Sequence, residues 1–347
     1  MLLNTAAWMT AAKAKPLEVK PAPYTSPGEN EIVVKNAAIA FNPTDWALQE
    51  MGDALMKVSY PFIGGNDVAG EVVEVGPGVS RFKKGDRVVG HALAFSDGLK
   101  GAAFQTYTVL RTNMTSPIPS TLPYSSAAVL PLGLSTAACG LYQKAYLALP
   151  HPTVPPTPTG KTLLIWGGPT SVGSCAIQLA VASGYSVITT SSPRNFAYVK
   201  SLGAALAFDY NSPAVVADIV AALAGKPFAG AFAIGSAQAP GNGTAAAEAC
   251  LAIVAQTPGT KFVAMALVFP QDKVPEGVGA KFVFGSDLKD NEVSHAVYGE
   301  FLGKALSEGA FLARPEAEVV GKGLECVQAG LDRLKGGVSA RKIVAVL

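Results

Sequence analysis

One stretch limits what this chain can fold into more than any other: Lys161 to Arg194, KTLLIWGGPTSVGSCAIQLAVASGYSVITTSSPR. An apolar run at Thr162–Trp166 meets a turn of small residues, then a helix-like segment to Gly184, then a β-branched run at Ser186–Thr190. That is the strand–helix–strand order of a dinucleotide-binding unit. The turn reads GGPTSVG from Gly167 to Gly173. In the usual G-x-G-x-x-G pattern the glycines serve a tight turn, close approach to a pyrophosphate, and helix–strand contact. Gly168 and Gly173 take the outer places here, and Thr170 stands where the middle glycine belongs. The helix that follows, expected over 171–183, offers unpaired N–H groups to an anion at its start.

The end of the second strand separates the two nicotinamide cofactors. An NAD site needs an acidic residue about 20 residues beyond the turn to accept from the ribose hydroxyls. This chain has Thr-Thr-Ser-Ser-Pro-Arg there, with no acid from Ser186 to Asn195. Ser191, Ser192 and Arg194 can instead donate to a 2′-phosphate, so the expected cofactor is NADPH.

The chain has 347 residues, enough for two domains, and with 49% hydrophobic and 15% charged residues it can bury a large core. Its net charge of +2 is spread along the sequence, which argues against nucleic acid or an anionic membrane as a partner. Cys139, Cys175, Cys250 and Cys326 are far apart in apolar contexts and read as buried small hydrophobes. No signal peptide is read at the start, and the longest apolar stretch, 127–149, is interrupted by Pro131, Gln143 and Lys144. A cytoplasmic protein is expected.

Short β-branched runs at Glu31–Ala40, Val68–Val75 and Arg87–Gly90, separated by Pro-Gly and Gly-Asp turns, predict a β-rich first domain that is a partly closed barrel. Helix is expected within 121–144, and a proline-rich surface loop over 151–160. Beyond Gly160, strands are expected at 162–166, 186–190, 206–209, 230–234, 261–268 and 281–285. Helices alternate with them near 171–183, 195–202, 213–224 and 244–255. Two helices, around 292–308 and 316–334, and a last strand at 342–347 complete the reading.

Asn42-Pro43-Thr44-Asp45, then GGNDVAGEVVEVGPGV (Gly64–Val79), KKGDRV (Lys83–Val88) and LPLGLSTA (Leu130–Ala137), with the Gly turn behind them, occur in a telling order. The chain resembles the medium-chain dehydrogenase/reductase superfamily over nearly its whole length. Its zinc-free quinone oxidoreductase and enoyl reductase branch fits best, above all the fungal trans-acting enoyl reductases that serve polyketide synthases. The resemblance implies an α/β protein with a GroES-like partial barrel (1–130 and 300–347) and a doubly wound Rossmann domain (131–299).

The zinc-dependent branch needs a Cys in the first of those motifs and a His in the second, because catalytic zinc wants three N, S or O protein ligands. Asn42 and Asn66 hold those places, and no cluster of four cysteines lies between about 90 and 120. His91, His151 and His295 are isolated and read as surface or loop residues. No zinc is expected. Hydride transfer without a Lewis acid requires an acceptor that is already electron-poor: an enoyl thioester, an enone or a quinone.

By resemblance, Asn42, Pro43, Thr44 and Asp45 lie beside the nicotinamide, and Thr136 lines the cofactor. Thr170, Ser171, Val172 and Gly173 hold the pyrophosphate, Ser191, Ser192 and Arg194 the 2′-phosphate, and Tyr210 lies along the adenosine. Gly235 with Ser236, Leu267 with Val268, and Phe282 with Val283 end strands on the ligand side of an open sheet, and Ser339 is a C-terminal contact. Mitochondrial-type enoyl reductases carry a Tyr about eleven residues past the Asn, a place held here by Asp53. Tyr60 and Tyr142 are the other candidates for a proton donor, each a better fit to packing, and no catalytic acid is assigned. The reading is an NADPH-dependent enoyl or ene reductase acting on a small or carrier-tethered substrate, with a polyketide synthase as a candidate partner, as monomer or homodimer. A quinone reductase and a non-catalytic NADPH-binding protein stand as alternatives.

Overall fold

The computed structural model describes residues 3–235 and 244–347. The chain divides into two units, Met1–Leu132 with Tyr298–Glu308 and Ala313–Leu347, and Gly133–Val297 with Gly309–Leu312.

The second unit is built on six parallel strands in the order Leu206–Asp209, Ser186–Ser191, Thr162–Trp166, Phe228–Ala233, Phe262–Met265, Gly279–Phe282. The chain starts at Thr162–Trp166, runs outward to one edge, returns to Phe228–Ala233, and runs to the other. Strand order thus reverses between those two central strands, and at such a point a doubly wound sheet opens a crevice at its carboxyl ends. The central strands read TLLIW and FAGAFA because both faces are covered, so no polar alternation is needed. Helices Ser171–Ala182, Val215–Leu223 and Thr244–Gln256 supply the cover, burying residues such as Ile177, Ile219 and Ile253.

The first unit carries a three-stranded antiparallel sheet (Glu18–Ala22, Asn4–Met9, Phe62–Ile63) and a seven-stranded one. In the latter, Glu31–Ala40 pairs along one side with Asp67–Val75 and along the other with Tyr107–Arg111 and then Arg341–Val346. Two register shifts bend the long pairing between Glu31–Ala40 and Asp67–Val75. The core beneath includes Ile32, Ile39, Phe41, Val68 and Ile343, all fully buried.

The structure corrects the sequence reading at several elements. Residues 316–334 are not one helix: Glu316–Lys322 is a strand paired in parallel with Arg341–Val346, and helix covers only Val327–Lys335. The adjacent β-branched Val319 and Val320 fit a strand, and the partner strand outweighs local helix preference. The expected 292–308 helix is interrupted by a π-helical turn at His295–Phe301. The strands expected at 261–268 and 281–285 are Phe262–Met265 and Gly279–Phe282. Cys326 is half-buried, unlike the other three cysteines. The segment Tyr124–Tyr142 is apolar and long enough by composition to cross a membrane, but 78% of its most apolar window is buried within the fold.

Candidate active site

The nucleotide turn is held by its neighbours on the sheet. Gly167 N–H donates to Thr190 Oγ1 at 3.0 Å, and Gly168 N–H to Thr190 O at 3.1 Å. The left-handed backbone falls on Gly167 (φ +86°), so this residue, not Gly168, makes the tight turn. Gly168 is a glycine for space: a Cβ there would lie 2.4 Å from Thr189 Oγ1. At Gly173 a Cβ would come within 2.3 Å of the Gly167 carbonyl, so this glycine sets the contact between helix and turn.

Thr170 is the N-cap of the Ser171–Ala182 helix. Its hydroxyl donates to Gly167 O at 2.8 Å and accepts from Gly173 N–H at 3.0 Å. The residue in the usual glycine place therefore stitches the turn together, and its hydroxyl proton is already used. The N–H groups of Ser171 and Val172 have no acceptor among the described residues. They are the donors left for an anion at this helix start, which carries partial positive charge.

Ser191 ends its strand fully buried, its hydroxyl donating to Ser192 O, while the Ser192 hydroxyl accepts from Asn195 Nδ2 at 3.3 Å. Arg194 is exposed and makes no ion pair or hydrogen bond among the described residues. Tyr210 is half-exposed just past the end of Leu206–Asp209. Gly235 follows the end of Phe228–Ala233, and Ser236 lies outside the described residues. Val268 and Phe282 are exposed at the carboxyl ends of their strands, whereas Leu267 and Val283 are buried. Thr136 is buried on the Pro131–Tyr142 helix. In the first unit, Ser339 is exposed in the loop between Val327–Lys335 and Arg341–Val346.

The first unit holds a second cluster, this one of buried side chains. Asn42 precedes the Pro43–Met51 helix; its N–H donates to Asp45 Oδ2 at 2.7 Å, the backward half of a capping box. The Asn42 carboxamide does not cap the helix. Its Oδ1 accepts from Lys342 Nζ at 2.5 Å, and its Nδ2 donates to Asp67 Oδ2 at 2.9 Å. Lys342 and Asp67 form an ion pair at 2.8 Å. Asp67 Oδ1 accepts from Leu132 N–H, and Asp45 Oδ1 accepts from Asn66 Nδ2 at 3.0 Å. Pro43 is exposed at the helix start, and Thr44 beside it has a buried Oγ1 with no hydrogen-bond partner among the described residues. A bound polar group would complete that hydroxyl.

His91 is fully buried and faces Asp67 across two antiparallel strands, so the surface reading is wrong for it. Alternation within a five-residue strand gave no sign that its inward position was polar. Burial pushes His91 down to about 4, against the opposing pull of Asp67, so its ring is neutral at neutral pH. Burial likewise pushes Asp45 up to about 7. The cause is visible around it: Asp45 borders a cavity of about 20 Å³ whose other walls include Met9, Leu48, Phe62 and Phe104.

Sequence reasoning gave Lys342 and Asp67 no part in a site and placed His91 at the surface or in a loop. Among the tyrosines, Tyr142 is buried and spends its hydroxyl on Leu179 O and Ser183 Oγ, so it is a packing residue. Tyr60 is half-buried, its hydroxyl 3.4 Å from Asp53. Among the described residues no three His, Cys, Asp or Glu side chains are grouped to hold a metal ion. At Asn42, the lone pair a metal would need already faces an ammonium.

A parallel sheet with a glycine turn at its point of reversal is the architecture of a dinucleotide-binding domain. Residues 28–120 match the alcohol dehydrogenase GroES-like domain family. The chain is 56% identical to dehydrogenase orf1 of Aspergillus niger, covering 96% of both chains. It is 49% identical to the zinc-binding alcohol dehydrogenase domain-containing protein cipB of Emericella nidulans, covering 99% of this chain and 98% of that one. It is also 42% identical to the trans-enoyl reductase himH of Aspergillus japonicus, covering 99% and 97%. This chain belongs to the medium-chain dehydrogenase/reductase superfamily, in its enoyl reductase branch. It is an oxidoreductase of a family that works with a nicotinamide cofactor.

Proposed function

We propose that this protein reduces an activated C=C bond, in an enoyl thioester or enone, with NADPH and without a metal ion. The observation that carries the proposal is the donor set around Asn42. Both motif places that a zinc site would fill hold amides, Asn42 and Asn66, and each amide is committed to neighbouring side chains, Asn42 to Lys342 and Asp67 and Asn66 to Asp45. Such a site cannot activate an alcohol by binding its alkoxide to zinc. It suits an acceptor whose own carbonyl takes up the developing charge.

When bound, the nicotinamide supplies hydride. Ser171 and Val172 N–H hold the pyrophosphate, Thr170 keeps the turn closed beneath it, and the Thr44 hydroxyl and Asn42 carboxamide serve the nicotinamide end. Ser192 and the unpaired Arg194 guanidinium receive the 2′-phosphate, where no acid stands to bind a free ribose hydroxyl. The similarity to a protein named a trans-enoyl reductase supports an enoyl compound as acceptor; a carrier-tethered chain and a polyketide synthase partner rest on the motif resemblance alone.

NADPH oxidation followed with a panel of enoyl thioesters, enones and quinones tests the reading. Turnover is expected with the first two. Turnover with quinones alone makes this a quinone reductase, and tight NADPH binding with no turnover makes it a nucleotide-binding protein without chemistry. Arg194→Ala is expected to weaken NADPH by about tenfold or more and leave NADH nearly unchanged, since a charge-assisted contact is worth roughly 1.5–3 kcal/mol. Equal losses for both cofactors would remove the 2′-phosphate assignment.

A further inference from the structure

Lys342 is a nearly fully buried lysine five positions before Leu347, reaching a residue 300 positions away in sequence. A lysine and an aspartate withdrawn from water together are seldom a net gain in stability compared with apolar side chains of the same size. Their presence here calls for an account beyond holding the fold.

The geometry around the Asn42 carboxamide supplies one. An ammonium can only donate, and a carboxylate can only accept. With Lys342 Nζ on Oδ1 and Asp67 Oδ2 on Nδ2, the amide has one acceptable orientation; flipped, it would set NH₂ against ammonium and oxygen against carboxylate. The surrounding carboxylates are occupied as well, Asp67 Oδ1 by Leu132 N–H and Asp45 by Asn42 N–H and Asn66 Nδ2. Of the two Nδ2 hydrogens of Asn42, one goes to Asp67 and the second has no acceptor among the described residues. We infer that Lys342 is a positioning residue: paired with Asp67, it locks the Asn42 carboxamide so that its second N–H is held ready as a hydrogen-bond donor to the bound substrate or nicotinamide. This inference rests on the reductase reading above, and one arm of its test does not.

Lys342→Met combined with Asp67→Asn removes both charges together and so avoids stranding either one in the interior. The double variant is expected to unfold near the wild-type midpoint and to bind NADPH within about threefold of wild type. Its kcat should fall by about tenfold or more, the size of effect expected when a reacting group loses its fixed position. Lys342→Arg keeps the charge and should retain most of the activity. If the folded double variant keeps the wild-type kcat, the positioning role is overturned and the pair is structural only. The second arm is independent of turnover and of any fault in the reductase reading. The Asn42 side-chain amide signals in a proton–nitrogen spectrum, assigned by their loss in Asn42→Ser, should exchange slowly with solvent in the wild type and in Lys342→Arg. In the double variant they should exchange much faster. Unchanged exchange there overturns the inference even if no substrate is ever found, and if the double variant does not fold, rapid exchange in Lys342→Arg or in the wild type does the same.

Discussion

The nucleotide turn and the Asn42 cluster prepare for polar ligands by opposite means. Between Gly167 and Gly173 no side chain is ionisable; the turn offers backbone N–H groups, and of its two hydroxyls that of Thr170 is spent on the turn itself. The Asn42 cluster offers almost no backbone. It works through buried side chains, two of them the opposite charges of Lys342 and Asp67. A site made of backbone should tolerate changes of charge and resist changes of size, and a site made of buried charge should do the reverse.

The largest effect is expected from stranding a charge. Asp67→Ala leaves the Lys342 ammonium without its partner in the interior and should cost about 3–5 kcal/mol in denaturant unfolding. A cost under about 1 kcal/mol would mean that the pair is hydrated and that the contrast between the two sites is false. At the turn, Gly173→Ala changes no charge but drives a methyl into the Gly167 carbonyl, and should cost roughly 1–3 kcal/mol together with cofactor affinity. An Ala variant as stable as wild type would show that the turn yields more easily than its contacts imply.

A third prediction concerns pH. The folded state raises Asp45 from 3.8 to about 7, so it holds a proton the unfolded chain releases, and this stabilisation is lost as pH climbs through that range. The folded state lowers His91 from 6.5 to about 4, so there the unfolded chain holds the extra proton, and stability rises with pH between those values. The two slopes oppose one another from about pH 4 to 6.5. Urea titrations of Asp45→Asn should show stability rising with pH over that window, by at most ~1.4 kcal/mol per pH unit, and those of His91→Gln should show it falling. Parallel curves for the two variants would contradict the opposite shifts of these two buried groups. The smallest effect is expected at Thr170→Val, which removes the cap hydroxyl and should cost about 1 kcal/mol, with little change for variants that merely add charge at the exposed Arg194 loop.

What could be read from the sequence follows the same division. The turn, its helix and its two flanking strands lie within some thirty consecutive residues, so periodicity and glycine placement located all of them. The role of Thr170 was open in the sequence because a threonine can either crowd a phosphate or cap a helix, and only the positions of Gly167 O and Gly173 N decide between them. In the cluster, Asn42 and Asn66 were legible as amides in the places where the zinc-dependent branch has its ligands, and Asp45 as part of the polar segment that follows Asn42. Asp67, His91 and Lys342 were not, because each sits in a strand whose other residues look like ordinary core. Nothing local distinguishes VSARKIVAV as the carrier of a buried ammonium. The same dependence on a distant partner explains the misread strand at Glu316–Lys322, whose pairing is with Arg341–Val346.

The placement of Lys342 also orders events during synthesis. The strand that delivers it emerges from the ribosome after every strand of the parallel sheet, whose strand pairings all lie between residues 162 and 282. The nucleotide-binding unit can therefore gather while translation continues, as domains commonly do. The earlier-made β unit lacks the ion-pair partner of Asp67 until the strand Arg341–Val346 arrives beside Glu31–Ala40. A nascent chain halted before residue 341 would be expected to resist protease in its middle and not at its beginning.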